Sequence, residues 1–229
     1  ELALADLAMA SKLDHSLDTV LLCRAQTFHD ARRPLEAIAA LGDFLARVPA
    51  HTKARLLRAR VCVDLGRHHE ALNDFEEVIW RAPAPGPEIY LERAAILEAC
   101  GRIEAAVASL DEAIRHLGEV QALNQSALQM ETRSGRHEAA LRRIDRLLAQ
   151  ADRKEKWHLR RAQCLAAMQR PTEARRAYGD ALTAIEQLSP TQRAVRAMRD
   201  LEHEVRARSS VSQAELGRAP EVEIQRWSG

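Results

Sequence analysis

The chain has 229 residues and a formal net charge of +1; 46% of its residues are hydrophobic and only 3% aromatic. The balanced charge gives no reason to expect a nucleic-acid partner, which usually requires a basic face, and no apolar run approaches the roughly 18 residues of a membrane span. The aromatic share is low for a single globular core and suits helices packed closely through Ala and Leu. Because the chain begins at Glu1 without a Met, we expect a fragment or a processed product. We expect a soluble protein, and the sequence leaves the cytoplasm and the periplasm open as its compartment.

A six-residue motif divides the chain into units of similar length. It reads Gly-Arg-His-His-Glu-Ala at 66–71 and Gly-Arg-Ile-Glu-Ala-Ala at 101–106. Further copies lie at 32–37, 135–140 and 169–174. The alanines that end these copies are 34, 35, 34 and 34 residues apart, which indicates tandem repeats.

Apolar residues recur at helical spacing around these alanines. A large side chain stands four residues after each alanine, and small residues recur in the segment before the motif. The large residues are Leu41, Phe75, Leu110, Ile144 and Tyr178, and the small ones are Ala25, Ala59, Ala94 and Ala162. Each unit is therefore predicted as two amphipathic helices of about 14 residues joined by a tight turn. Ala71, Ala106 and Ala140 should be buried where the two helices cross.

The same periodicity predicts the organisation of the whole chain. In chain order the predicted elements are a half repeat with a second helix only (1–15), five full repeats (16–188), a capping helix (189–208) and a flexible or docking tail (209–229). Ser189-Pro190-Thr191-Gln192 opens the capping helix with a capping box. In the tail, apolar and polar residues alternate over 221–227, which leaves disorder and a docking peptide as alternatives.

The fourth repeat departs from the pattern. If the fourth repeat keeps the same spacing from its motif as the other repeats do, Glu131 falls at a position of the first helix that is apolar in those repeats. Moving that helix back by one residue brings Leu123, Ala127 and Met130 to the apolar positions and adds one residue to the turn. We favour the shifted register because it fills these positions with apolar side chains.

These residues resemble the tetratricopeptide repeat family, whose unit of about 34 residues carries a small residue, an aromatic, an alanine and a final proline at these intervals. The resemblance covers residues 1 to about 187. It implies an all-α fold, a right-handed α-solenoid of antiparallel helix pairs (a TPR-like superhelix) with a C-terminal capping helix. The first helix of each unit then lines an inner groove. The groove residues implied in this way are Gln26, Arg60, Asp64, Glu92, Glu98, Gln125, Arg133, Lys156, Arg160 and Gln163.

The family resemblance predicts a protein–protein interaction scaffold or adaptor that holds a peptide or partner helix in this groove. Polar residues that serve only solubility are the alternative account of the groove, and a regulatory domain of a larger enzyme or enzyme complex is the alternative function. Some family members clamp chaperone tails, but Leu91 and Ala95 stand where that clamp needs Lys and Asn, so chaperone-tail binding is not predicted. Apolar residues within 1–13 predict weak self-association through the N-terminal helix.

The sequence contains no recognisable catalytic or metal-binding pattern. Its four cysteines form no CxxC pair and are expected to be small, partly buried core residues. Its nine histidines have no metal-ligand spacing, and His68 and His69 are expected in a solvated turn. No glycine-rich phosphate loop or nucleophile motif is present. We therefore predict a non-enzyme that requires no metal and no cofactor.

Overall fold

The computed structural model describes residues 17–216, with the side chains of residues 20–210. Within this range the chain forms helices and no strands, so the all-α repeat solenoid predicted from the sequence is confirmed. The helices are α1 (Leu17–Asp30), α2 (Pro34–Arg47), α3 (Thr52–Asp64), α4 (His68–Arg81), α5 (Pro87–Ala99), α6 (Ile103–Leu117), α7 (Gln121–Arg133), α8 (His137–Gln150), α9 (Glu155–Ala167), α10 (Pro171–Glu186), α11 (Pro190–Arg193) and α12 (Arg196–Leu216). The predicted half repeat at 1–15, its self-association surface and the alternating segment at 221–227 lie outside the described residues.

The chain divides into two compact units, unit 1 (Glu1–Ala127) and unit 2 (Leu128–Gly229). In unit 1, α1 packs against α2, α3 against α4 and α5 against α6, and consecutive pairs meet where α2 contacts α3 and α4 contacts α5. In unit 2, α9 packs against both α8 and α10, and α10 packs against α12. Each helix is thus buried mainly by its neighbours in sequence, as expected for stacked repeats.

The repeated alanines lie at the helix crossings, as the spacing predicts. Ala71, Ala106 and Ala140 are fully buried. One turn later, Phe75 and Leu110 are fully buried as well. A small side chain allows two helices to approach closely, and the large one in the next turn fills the space between them.

The turn between the two helices of a unit uses a left-handed backbone. The glycines in this conformation are Gly66, Gly101 and Gly135, with φ values of 71°, 73° and 74°. The next residue then bonds back into the first helix, as the Arg67 N–H does to the Cys62 carbonyl at 2.8 Å. Arg32 and Gln169 take this position in the motif copies that lack glycine and adopt φ values of 58° and 56°.

The shifted register predicted for the fourth repeat is wrong in its turn. The Arg136 N–H bonds to the Glu131 carbonyl just as Arg67 bonds to Cys62, so the turn contains no extra residue. Glu131 therefore occupies the apolar position, and it is buried there because the Arg143 guanidinium on α8 binds its carboxylate with two hydrogen bonds of 2.9 Å. The side chains of Leu123, Ala127 and Met130 are nevertheless buried, as expected.

The C-terminal helices also differ from the prediction of one helix over 189–208. The capping box forms, with the Ser189 hydroxyl accepting from the Gln192 N–H, but α11 ends at Arg193 and α12 begins at Arg196. α12 then continues to Leu216, into the segment predicted as the start of a flexible or docking tail. A serine can remain helical when its hydroxyl bonds to the preceding turn, as Ser210 does to the Ala207 carbonyl at 2.8 Å.

Candidate functional site

Unit 1 contains a cavity of about 480 Å³ between its first helices, a volume within the range of ligand pockets. Helices α1, α3 and α5 form most of its lining, and α4 contributes the rest. We call this space the unit 1 cavity, and its lining consists of His29, Arg60, Val63, Asp64, His68, Phe75, Glu92, Ala95, Ile96 and Ala99. Three of the predicted groove residues, Arg60, Asp64 and Glu92, therefore meet at one place.

The cavity exists because α5 carries small residues where other first helices carry longer ones. Ala95 directly follows Ala94, the repeated small residue of its helix. The positions that correspond to Ala95 in other first helices hold Gln26, Arg60 and Gln163. One turn later Ala99 corresponds to Asp64 of α3. Two long side chains are thus replaced by methyl groups, which leaves space above the buried side chains of Phe75 and Ile96.

Arg60 and Glu92 form a bidentate ion pair that joins α3 to α5 at the edge of the cavity. The Arg60 Nε and Nη2 atoms donate to the two Glu92 carboxylate oxygens at 2.9 and 2.7 Å. Hydrogen bonding to Glu92 raises the pKa of Arg60 above its usual value, against the opposing effect of burial. Because both side chains remain substantially solvent-accessible, the pair contributes at most about 1 kcal/mol to stability. Its main effect is to fix one side of the cavity and balance the charge there.

The remaining polar residues of the cavity are Asp64 and two histidines. The Asp64 side chain is exposed at the end of α3, and no described Lys or Arg is paired with it. The Nδ1 atoms of His29 and His68 are buried without a hydrogen-bond partner among the described residues. His68 is half-buried against the cavity rather than in a solvated turn, whereas its neighbour His69 is exposed, as the sequence predicted.

The other predicted groove residues of unit 1 lie outside the cavity. The Gln26 amide donates to Asp30 on its own helix at 3.0 Å. Glu98 is half-buried on α5, and Gln125 is exposed on α7, and neither lines the cavity. The assignment of these three residues to a ligand groove stays a prediction.

In unit 2, the predicted residues of α9 are linked to α12. Arg160 donates to the side-chain oxygen Oε1 of Gln163 at 3.0 Å, and the side-chain Nε2 of Gln163 donates to Glu204 of α12 at 3.0 Å. Lys156 is exposed one turn earlier on α9, and Arg133 is exposed near the end of α7. Gln163 is therefore engaged by another helix, and the role of these four residues in binding stays a prediction.

A second set of polar residues was missed by the sequence analysis. An arginine directly precedes the small residue of four first helices, at Arg24, Arg58, Arg93 and Arg161. Arg58 binds the buried Asp74 of α4 with two hydrogen bonds of 2.7 Å, and Arg93 binds Ser109 and Glu112 of α6 at 2.8 and 2.7 Å. The recurrence of arginine at this repeat position was the available signal. These residues join helices and do not line the cavity.

Cysteines and other potential ligands do not assemble into a reactive centre in the part of the chain that is described. Cys62 and Cys164 are buried, and burial raises the pKa of both thiols, while Cys23 and Cys100 are exposed. Among residues 17–216, no three His, Cys, Asp or Glu side chains are placed to hold a metal ion. No helix in this range is long and apolar enough to cross a membrane.

Three solved structures of similar fold have low sequence identity to this chain. MamA aligns with a TM-score of 0.57 and 14% identity over 77% of this chain and 98% of its own. YrrB, described as a TPR protein with an unusual peptide-binding site, aligns with a TM-score of 0.55 and 14% identity over 79% of this chain and 93% of its own. A tetratricopeptide repeat protein from Parabacteroides merdae aligns with a TM-score of 0.52 and 15% identity over 94% of this chain and 84% of its own. No curated protein matches the chain in sequence.

A family model supplies the identification that these distant structures do not. The tetratricopeptide repeat model matches residues 24–87, 63–122 and 132–192, which is more than half of the chain. Proteins built from this repeat are generally non-catalytic modules for protein–protein interaction. Together with the stacked helix pairs and their buried alanines, the match shows that the chain belongs to the tetratricopeptide repeat family.

Proposed function

We propose that the chain is an adaptor that holds a peptide segment or helix of a partner protein against its first helices, and that it binds rather than catalyses. The unit 1 cavity supports this proposal most directly, because three successive first helices converge on one space with an apolar floor and a charged edge. Grooves that take extended peptides or helices combine apolar anchor sites with a few polar contacts in this way. YrrB, of similar fold, is described as having a peptide-binding site.

The test exchanges the charges at the cavity without removing its ion pair. The double variant Arg60→Glu/Glu92→Arg keeps a complementary pair between α3 and α5 but reverses the charge that each helix presents to a ligand. Peptides are selected from a random displayed library on the full chain, and their affinities are measured by fluorescence anisotropy. We expect the exchange to weaken selected peptides about tenfold while the helical circular dichroism signal is unchanged.

A matched control lies on another surface of unit 1. Glu77 and Arg81 form an ion pair of 2.7 Å along α4, so Glu77→Arg/Arg81→Glu makes the same chemical change away from the cavity. The control variant should bind the selected peptides as tightly as wild type does. Equal affinities of the two exchanged variants and wild type would exclude the cavity face as the binding surface. An Arg160→Glu variant tests the predicted groove residues of unit 2 separately.

The predicted self-association through residues 1–13 is a separate matter, since these residues lie outside the described range. Sedimentation of the chain at rising concentration measures it directly. A strictly monomeric chain at high concentration would contradict that prediction and leave the peptide-binding proposal standing.

A further inference from the structure

We propose that the unit 1 cavity receives one large apolar side chain of the partner, and that this side chain is adjacent to a Lys or Arg of the same peptide. The proposal rests on the proposed function, because it specifies which peptides the adaptor holds. Two independent features of the cavity lead to it: the shape and polarity of the floor, and the distribution of charge at the edge.

The floor of the cavity is apolar and preformed. Phe75 and Ile96 are core residues, 0% and 4% exposed, so packing fixes the positions of the side chains that lie beneath the cavity. Ala95 and Ala99 line the cavity from α5 and add no polar group. An apolar side chain that enters such a space gains roughly 25 cal/mol for each Å² removed from water.

The charge at the edge is not balanced. The charge of Arg60 is compensated by Glu92 through two hydrogen bonds. Asp64 has no such compensation among the described residues, although it lines the same cavity. A cation carried next to the apolar anchor would therefore meet the free carboxylate of Asp64, and a carboxylate at that place in the peptide would be repelled.

Neighbouring repeats suggest a variant that fills the cavity without disturbing the fold. Ala95 is exposed, and the chain places Gln26 and Gln163 at the corresponding positions of α1 and α9, so Ala95→Gln puts a side chain of known compatibility into the space. Asp64→Asn removes the uncompensated charge at nearly constant size. Ala122→Gln on α7 is the matched control, because Ala122 is an exposed helical alanine outside the cavity.

The experiment uses the full chain and random peptides displayed on phage, followed by anisotropy measurements with the most enriched peptide carrying a fluorophore. We expect the enriched peptides to share a large apolar residue next to Lys or Arg. Ala95→Gln should weaken the chosen peptide about tenfold, and Asp64→Asn should weaken it less and reduce the loss of affinity on raising salt from about 0.05 to about 0.5 M. Ala122→Gln should bind like wild type.

Failure of this inference is distinguishable from failure of the proposed function. If the Arg60/Glu92 exchange abolishes binding but Ala95→Gln does not, peptides bind this face without using the cavity, and the inference is overturned while the function stands. Enriched peptides with Asp or Glu next to the apolar residue, or with no apolar residue in common, would also overturn it. If the selected peptides bind every variant equally, both the inference and the proposed function are wrong.

Discussion

Replacing Glu131 with Leu should cost unit 2 about 3–5 kcal/mol of unfolding free energy, because the substitution removes the carboxylate that accepts two hydrogen bonds from the buried guanidinium of Arg143. The two side chains are 4% and 2% exposed and share two hydrogen bonds of 2.9 Å. Water therefore cannot replace the lost carboxylate unless the packing of α7 against α8 opens. The cost should come from the lost hydrogen bonds to the guanidinium and not from the leucine, since Leu165 occupies the same repeat position in α9 and is buried.

The double variant separates these two causes. In Glu131→Leu/Arg143→Met both charges are gone and the aliphatic volume of the arginine is largely kept. Buried ion pairs replaced by apolar residues of similar volume are often neutral or more stable by about 1–4 kcal/mol. We therefore expect the double variant to recover most of the stability lost in Glu131→Leu, which appears as a coupling energy in the double-mutant cycle.

Urea unfolding followed by circular dichroism measures the stability of wild type, the two single variants and the double variant. The dependence of unfolding free energy on urea concentration should be the same for all four proteins. Glu173→Leu is the matched control, because Glu173 pairs with Arg170 at 2.7 Å on the surface, where loss of an ion pair should cost far less than the loss of Glu131. The reasoning is refuted if Glu131→Leu is as stable as wild type, or if the double variant loses the sum of the two single losses.

Three further predictions follow from burial. Ala106→Leu should lower the unfolding free energy by about 1–3 kcal/mol, because its fully buried side chain lies where two helices cross, and a thermal midpoint within about a degree of wild type would contradict this. A thiol reagent added to the folded chain should modify two cysteines quickly and two only after unfolding; the fast pair is Cys23 and Cys100 and the slow pair is Cys62 and Cys164. Burial lowers the pKa of His158 below 6.5, against the opposing effect of Asp180, so the unfolded state binds the proton more readily and stability should fall as pH drops through 6.5. His158→Gln should flatten that part of the stability profile, and an unchanged profile would exclude His158 as its source.

The fold was largely predictable because one physical requirement repeats along the chain. Every helix crossing needs a small residue, and Ala71, Ala106 and Ala140 meet that need at nearly constant spacing. Each crossing also needs a large side chain in the next turn, as Leu110 provides. A periodic pattern reports such requirements directly, so the helices and their buried faces followed from the sequence.

Glu131 shows where this kind of reasoning fails. A charge in an apolar position was treated as evidence for a shifted register, although the real solution is a partner twelve residues later on the facing helix. A pattern of hydrophobic residues gives no information about whether a buried charge has a partner of opposite charge on another helix. The candidate site shows the same limitation, because the sequence placed Arg60 and Glu92 in the groove without indicating that they bind each other across 32 residues of sequence. Ala95 was noted only as a departure from a known clamp, and its small size proves to open the cavity.

The buried ion pair between Glu131 and Arg143 also affects which helices of unit 2 pack against each other. α7 and α8 bring Glu131 and Arg143 together, whereas α9 and α10 have Leu165 and Ala177 at the same two repeat positions. If α7 packed against α10, Glu131 would face Ala177 instead of Arg143, and if α9 packed against α8, Arg143 would face Leu165 instead of Glu131. Each exchange would remove two buried hydrogen bonds between charged groups at a cost of several kcal/mol, while the hydrophobic pattern alone would permit both. The ion pair therefore discriminates between helices that are otherwise interchangeable, and this discrimination can preserve an ion pair that contributes little net stability.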